Sequence, residues 1–175
     1  MEDECHLIWG DTLGHVWGKR NKQIAVSMLN QRERQTYYGA VDILTGEFYI
    51  VPLATGNGKN TVEYVKYLQK ILNNKKIMII WDGASYHRFA EMREYLQEVN
   101  NNLPPEEWVI TCELFAPNAP EQNPVEDIWL KGKNHLRKVF AENSTFAKVK
   151  KSFINYYQNM RFDFHKIQLY RSYIL

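Results

Sequence analysis

The alternation of apolar and polar positions divides the chain into segments of two periods. Between Gln35 and Leu53, QTYYGAVDI and EFYIVPL are rich in β-branched and aromatic residues and flank the turn formers Leu44, Thr45 and Gly46. That pattern predicts a β-hairpin. After the loop ATGNGK, Asn60 reads as a helix cap with Glu63 three residues on, and Val62, Val65, Leu68, Ile71 and Leu72 recur at helical spacing. Ile77 to Trp81 is a continuous apolar run, the pattern of a strand buried on both faces, and it ends at Asp82. Phe89, Met92, Leu96 and Val99 mark a second helix that stops before Pro104 and Pro105. Trp108 to Phe115 reads as a further strand. Beyond the loop APNAPEQ, Asn123 is placed to cap a helix with Pro124 at its first position and Val125, Ile128, Trp129, Leu136 and Val139 on its inner side. A last helix is predicted from about Ser144 to Met160, with Phe146, Val149, Phe153, Tyr156 or Tyr157, and Met160 inward, before an aromatic tail.

The resulting order is short strand, hairpin, helix, strand, helix, strand, helix, helix. Alternating strands and helices in the second half imply parallel crossovers on a sheet whose first half is an antiparallel hairpin. That is the plan of a ribonuclease-H-like α/β fold, a mixed sheet flanked by helices. With 175 residues, 45% hydrophobic and 24% charged, and no linker or repeat, the whole of 1–175 is expected to form one domain. Neither a signal-peptide pattern nor an apolar run of bilayer-spanning length is present, so the chain reads as soluble and cytoplasmic. Cys5 and Cys112 lack metal-ligand spacing; they read as two lone thiols in a reducing compartment rather than a disulfide, with no role assigned.

A net charge of +2 does not by itself indicate a polyanionic partner. Its distribution is more informative. Lys19, Arg20 and Lys22 cluster early, and Lys131, Lys133, His135, Arg137 and Lys138 follow the acidic Glu121, Glu126 and Asp127. The sharp alternation suits a carboxylate site beside phosphate-contacting cations, and it is equally the pattern of solvated surface charge.

Three acids stand out by position. Asp3 lies at the start of the first strand, Asp82 ends the apolar strand, and Glu126 sits in the first turn of a capped helix. Carboxylates at the carboxyl ends of buried strands face the crevice where α/β sheets bind ligands. Three of them together repel unless a hard cation neutralises them, and an all-oxygen ligand set selects Mg²⁺ or Mn²⁺. Two such ions would serve an in-line phosphodiester displacement. Each acid also has a purely structural reading: Asp82-Gly83 as a strand-end turn, Glu126 as a complement to the helix dipole, and Asp3 as part of a loosely held end.

The segments MEDECHLIWGDTLGHVWGKR, MIIWDGASYHR and LFAPNAPEQNPVEDIWLKGKNHLRK resemble the three signature regions of mariner-like insertion-sequence transposases, in the DDE superfamily. The likeness runs from residue 1 to about residue 140. It implies catalytic and metal-binding roles for Asp3, for Asp82 with Ser85 and His87 nearby, and for Glu126 within Asn123-Pro124-Val125-Glu126. His87 would contact a phosphate or orient a carboxylate, or be a structural histidine. Trp17, Lys19 and Arg20 would grip DNA, as would Lys131 and Lys133, whereas Trp129 reads as core and Glu4 as facing away from Asp3.

The resemblance further implies metal-dependent cleavage and strand transfer at transposon ends, with DNA ends and target as partners and a homodimer as the active form. Full-length relatives carry helix-turn-helix modules ahead of the catalytic domain, and this chain shows none. Either an upstream-encoded DNA-binding product completes it, or it is a truncated remnant acting as a DNA-binding or interaction module. A ribonuclease would share the same fold and metals.

Overall fold

The computed structural model describes residues 1–10, 18–22, 33–84, 90–117 and 119–174. Strands β1 (Glu2–Ile8), β2 (Arg34–Val41) and β3 (Phe48–Leu53) are followed by α1 (Gly58–Ile71), β4 (Ile77–Trp81), α2 (Ala90–Val99) and β5 (Ile110–Leu114). Helices α3 (Pro124–Lys138), α4 (Phe146–Tyr157) and α5 (His165–Ile174) complete the order. Strand β2 pairs antiparallel with β1 and β3, and β4 pairs parallel with β5. Strand β1 lies beside β4, so a three-stranded antiparallel sheet in the order β3–β2–β1 adjoins the two-stranded parallel sheet β4–β5. This is the ribonuclease-H-like arrangement expected from the element order.

Both faces of β2 are covered, whereas β4, expected to be buried on both faces, leaves Met78 exposed. Tyr37 and Val41 point into a core shared with α3, α4 and α5, while Tyr38 and Ala40 point to α1 through Tyr64 and Leu68. Successive strand residues face opposite ways, so a run such as TYYGAV is apolar throughout when helices cover both faces. The β4–β5 half packs Ile79, Trp81 and Ile110 against α1 and α2 through Val65, Met92 and Tyr95. Completely burying each such side chain stabilises the fold by roughly 1.5–3 kcal/mol.

Three sequence expectations shift at element ends. Helix α1 begins at Gly58, capped by Asn57, whose side chain accepts the Asn60 amide. Asn60 does not cap because its own side-chain amide donates to Thr55 O at 2.7 Å. Helix α4 ends at Tyr157, which is the buried member of the tyrosine pair, and Met160 lies exposed beyond it. The aromatic tail is itself a helix, α5, held by Ile167 in the core, by Tyr170 Oη donating to Gln122 O (2.9 Å) and by Arg171 Nε donating to Ile43 O (3.0 Å).

Candidate active site

The register of β1 on β2 decides which acids face which way. Opposed residues of an antiparallel pair share a face. Asp3 opposes Gly39 and Cys5 opposes Tyr37, so both look towards α3; Glu2 and Glu4 oppose Ala40 and Tyr38 and look towards α1. Asp3 is therefore firmly held inside the paired part of β1 and is 9% exposed, not a frayed terminal residue.

Helix α3 is brought close to Asp3 by two devices. A Cβ on Gly39 would lie 2.5 Å from two ring carbons of Trp129, so only glycine lets that indole rest on the sheet. Trp129 lies one turn beyond Glu126, and seating it seats Glu126 over β1. At the helix start, Asn123 is buried and works in two directions. Its Oδ1 accepts the Val125 amide (3.0 Å), capping α3, while its Nδ2 donates to Glu2 O (3.4 Å), the carbonyl just before Asp3. Lys166 of α5 braces the same turn through an ion pair with Asp127.

Asp82 reaches the same place from β4. Phe115 N donates to Trp81 O (2.9 Å), extending the β4–β5 ladder to the strand end, and Asp82 Oδ1 accepts the Ala84 amide (2.9 Å). The strand-end turn and the site reading thus coexist in one side chain. Asp3, Asp82 and Glu126 all line one cleft of about 500 Å³, whose walls also include Gly83, Phe115 and Asn123. Asp3 lies at the buried floor, and Asp82 and Glu126 at the solvent side.

The electrostatics of the floor are those of several carboxyls held close together. Burial pushes the Asp3 carboxyl up to about 8, and repulsion from Glu126, Glu4 and Asp82 adds to it. Glu2 is pushed well above the usual carboxylate range by burial and then by Glu4 and Asp3. Asp3 Oδ2 is buried without a hydrogen-bond partner among the described residues. A hard divalent cation satisfies both conditions, supplying charge for the repelling carboxylates and a ligand for the orphaned oxygen. The donor set therefore fits Mg²⁺ or Mn²⁺, although among the described residues no three acidic, imidazole or thiol groups are close enough together to form a ready-made cage.

The remaining expected residues separate. Lys133 lies two turns after Glu126 on the same stripe of α3, beside Cys5, whose thiol is pushed up to about 11 by burial and pulled back by that ammonium. Lys131 turns away, its ammonium 5.5 Å from the centre of the Phe164 ring. Lys19 and Arg20 are exposed and do not line the cleft. Trp17, Ser85 and His87 lie outside the described residues. Trp129 is core, as its helical position implied. Sequence reasoning identified Asn123 as a cap but missed its bond to β1, and it missed Gly39. A lone glycine inside a strand pattern is the available signal for such a close approach.

Adjoining antiparallel and parallel sheets flanked by helices, with three carboxylates around one cleft, define the class of fold to which the chain belongs. A family model described as DDE superfamily endonuclease matches residues 2–148, and the chain belongs to that family. Solved structures with the same fold include the Mos1 transposase paired-end complex with left transposon end, at 14% identity and a TM-score of 0.64, matching 95% of this chain and 48% of that one. The Mos1 mariner paired end complex with Mn matches at 14% identity and a TM-score of 0.56, over 95% and 49% of the two chains. The simian T-cell lymphotropic virus intasome in complex with PP2A regulatory subunit B56 gamma matches at 12% identity and a TM-score of 0.59, over 94% and 49%. The chain thus spans about half the length of these proteins. No curated protein matches it in sequence. None of the described helices is long and apolar enough to cross a membrane.

Proposed function

We propose that the cleft is the catalytic centre of a DNA transposase, cleaving phosphodiester bonds at transposon ends and joining them to target DNA. The observation that carries this reading is the buried Asp3 carboxylate, raised to about 8 and facing Glu126 and Asp82 across one cleft in a chain of the DDE superfamily. Asp3, Asp82 and Glu126 would hold two divalent ions, Mg²⁺ or Mn²⁺. When bound, these ions would activate the attacking oxygen and stabilise the leaving one.

The residues of the chain supply the rest. Asp82 presents its carboxylate from a turn anchored by the Ala84 amide, so its orientation is set before any ligand arrives. Glu126 is aimed by the Asn123 cap and the Trp129 seat. Lys133, on the Glu126 stripe, would contact a phosphate of the bound DNA, and the exposed Lys19, Arg20 and Lys131 would meet DNA backbone farther out. His87, five residues after Asp82, would contact the same phosphate. Water and then a DNA 3′-hydroxyl serve as nucleophiles, so no covalent enzyme intermediate is required.

The neighbours of known structure include Mos1 in paired-end and strand-transfer complexes, which supports transposon-end DNA as the partner; a homodimer would be the working form. A DNA-binding product encoded upstream would supply end recognition, and the complex would act in the cytoplasm. Mg²⁺-dependent nicking of duplex DNA tests the reading. Asp82→Asn and Glu126→Gln are expected to abolish nicking while leaving DNA binding in place. Nicking that persists in both variants would remove these carboxylates from the mechanism. Loss of metal binding in the unaltered chain, with DNA binding retained, would instead identify a non-catalytic DNA-binding module.

A further inference from the structure

A second concavity, of about 450 Å³, lies between the C-terminal part of α3 and the outer side of α4, where His135, Glu142, Lys148, Lys151, Ser152 and Tyr156 line it. It lies apart from the carboxylate cleft and shares no residue with it. Its walls are polar and ordered. The His135 ring stacks on Tyr156 with centroids 4.8 Å apart, and His135 Nε2 lies 3.5 Å from Ser152 Oγ. Lys148 Nζ donates to Ser144 Oγ (3.3 Å), and neither Lys148 nor Lys151 forms an ion pair with a carboxylate among the described residues, although Glu142 shares the pocket.

Local rules disfavour this arrangement. The first turn of α3 carries Glu126 and Asp127, as the positive end of a helix dipole prefers, whereas α4 has no acid in its first turn and bears Lys148, Lys150 and Lys151 close behind its Thr145 cap. Two ammonium groups around one concavity, with no carboxylate partner among the described residues, are relieved when an anion enters it. The aromatic wall argues against a stacked base as that anion's carrier, because Tyr156 is engaged by His135 on one side and by Tyr157 on another.

We propose that this pocket is a second phosphate site, taking the sugar–phosphate backbone of duplex DNA on the side of α3 opposite the cleft. The proposal rests on the reading of the chain as a DNA-processing enzyme. His135 is nine residues beyond Glu126, which is about 14 Å along the helix axis and half a turn around it. The pocket and the cleft therefore hold different phosphates, and the pocket positions DNA without touching the reacting bond. Backbone contacts of this kind carry no base information, so the site is sequence-independent.

The test compares the full chain with a Lys148→Gln/Lys151→Gln double variant. Both lysines are exposed, and an unchanged thermal melt confirms folding. Binding to a short duplex of arbitrary sequence is measured across salt concentrations. Losing two phosphate contacts should lower the slope of log affinity against log salt by about 1.8, at about 0.9 per contact. The nicking rate at saturating DNA should stay at the level of the unaltered chain. A slope equal to that of the unaltered chain overturns the pocket as a DNA site. Failure of the catalytic reading looks different: no variant or parent chain nicks DNA, while the slope still reports on the pocket.

Discussion

Replacing Gly39 by alanine sets local propensity against tertiary packing. Within a strand, glycine costs about 0.5–1 kcal/mol relative to alanine, so the local expectation for Gly39→Ala is a gain in stability. Packing predicts the opposite. The new Cβ would lie 2.5 Å from Cη2 and Cζ2 of Trp129 and 2.6 Å from Cζ of Phe48, whereas carbon atoms settle about 3.5–4.0 Å apart. The rings must withdraw by about 1 Å, and overpacking of this kind costs about 1–3 kcal/mol. Net destabilisation of about 1–2 kcal/mol should appear as a lower urea midpoint with an unchanged slope. Because Gly39 opposes Asp3 and Trp129 follows Glu126 by one turn, the same displacement lifts Glu126 away from Asp3. A misplacement of about 1 Å at a reacting centre lowers the rate by about 100-fold. Mg²⁺-dependent nicking should therefore fall about that far while DNA binding holds. A Gly39→Ala protein more stable than its parent, or one that is destabilised yet nicks at full rate, would refute the claim that this approach sets the carboxylate spacing.

The other predictions concern the cap and the buried acid. Asn123→Asp keeps an acceptor for the Val125 amide but loses the donor to Glu2 O, so half-saturation by Mg²⁺ should rise roughly 10–100-fold with the rate at saturating metal nearly unchanged. A Mg²⁺ titration matching the parent chain would reduce Asn123 to a cap. Asn123→Ala loses both bonds and should cost about 1–2 kcal/mol in urea unfolding. Asp3, raised to about 8, binds its proton more tightly in the folded chain than in the unfolded one. Its contribution to stability is thus fully present below about pH 4 and is lost as pH rises towards 8. Asp3→Asn should flatten that part of the stability profile by up to several kcal/mol, and Mg²⁺ should stabilise the parent more than the variant at pH 8. Parallel profiles for the two proteins would contradict the buried, repelled carboxylate.

Much of the fold is legible because it is written in local patterns. Ile77–Trp81 is the strand its apolar run predicts, although Met78 stands exposed where two-sided burial was expected, and the Asn123-Pro124 pair marks the start of α3 to the residue. The α1 cap was misread because two asparagines compete. Asn57 wins through contacts outside the segment: its amide donates to Tyr38 Oη (3.1 Å), and Thr55 O occupies the Asn60 side chain. Helix α5 escaped notice because Ile167 is its one fully buried residue, which leaves little helical periodicity to read.

By itself, the sequence singled out the acids proposed to carry the chemistry: Asp82 at the end of an apolar strand, Glu126 behind a cap, and Asp3 in a motif that resembles a known family. Only the tertiary structure decided that these acids share a cleft, that Asp3 is buried and held by register, and that Lys133 lies beside Cys5 while Lys131 stacks on Phe164. Strand and helix signals arise from neighbours a few residues apart, whereas register, the Gly39–Trp129 contact and the Asn123–Glu2 bond join residues far apart in the chain. Those distant contacts create the burial and repulsion on which the proposed metal site rests.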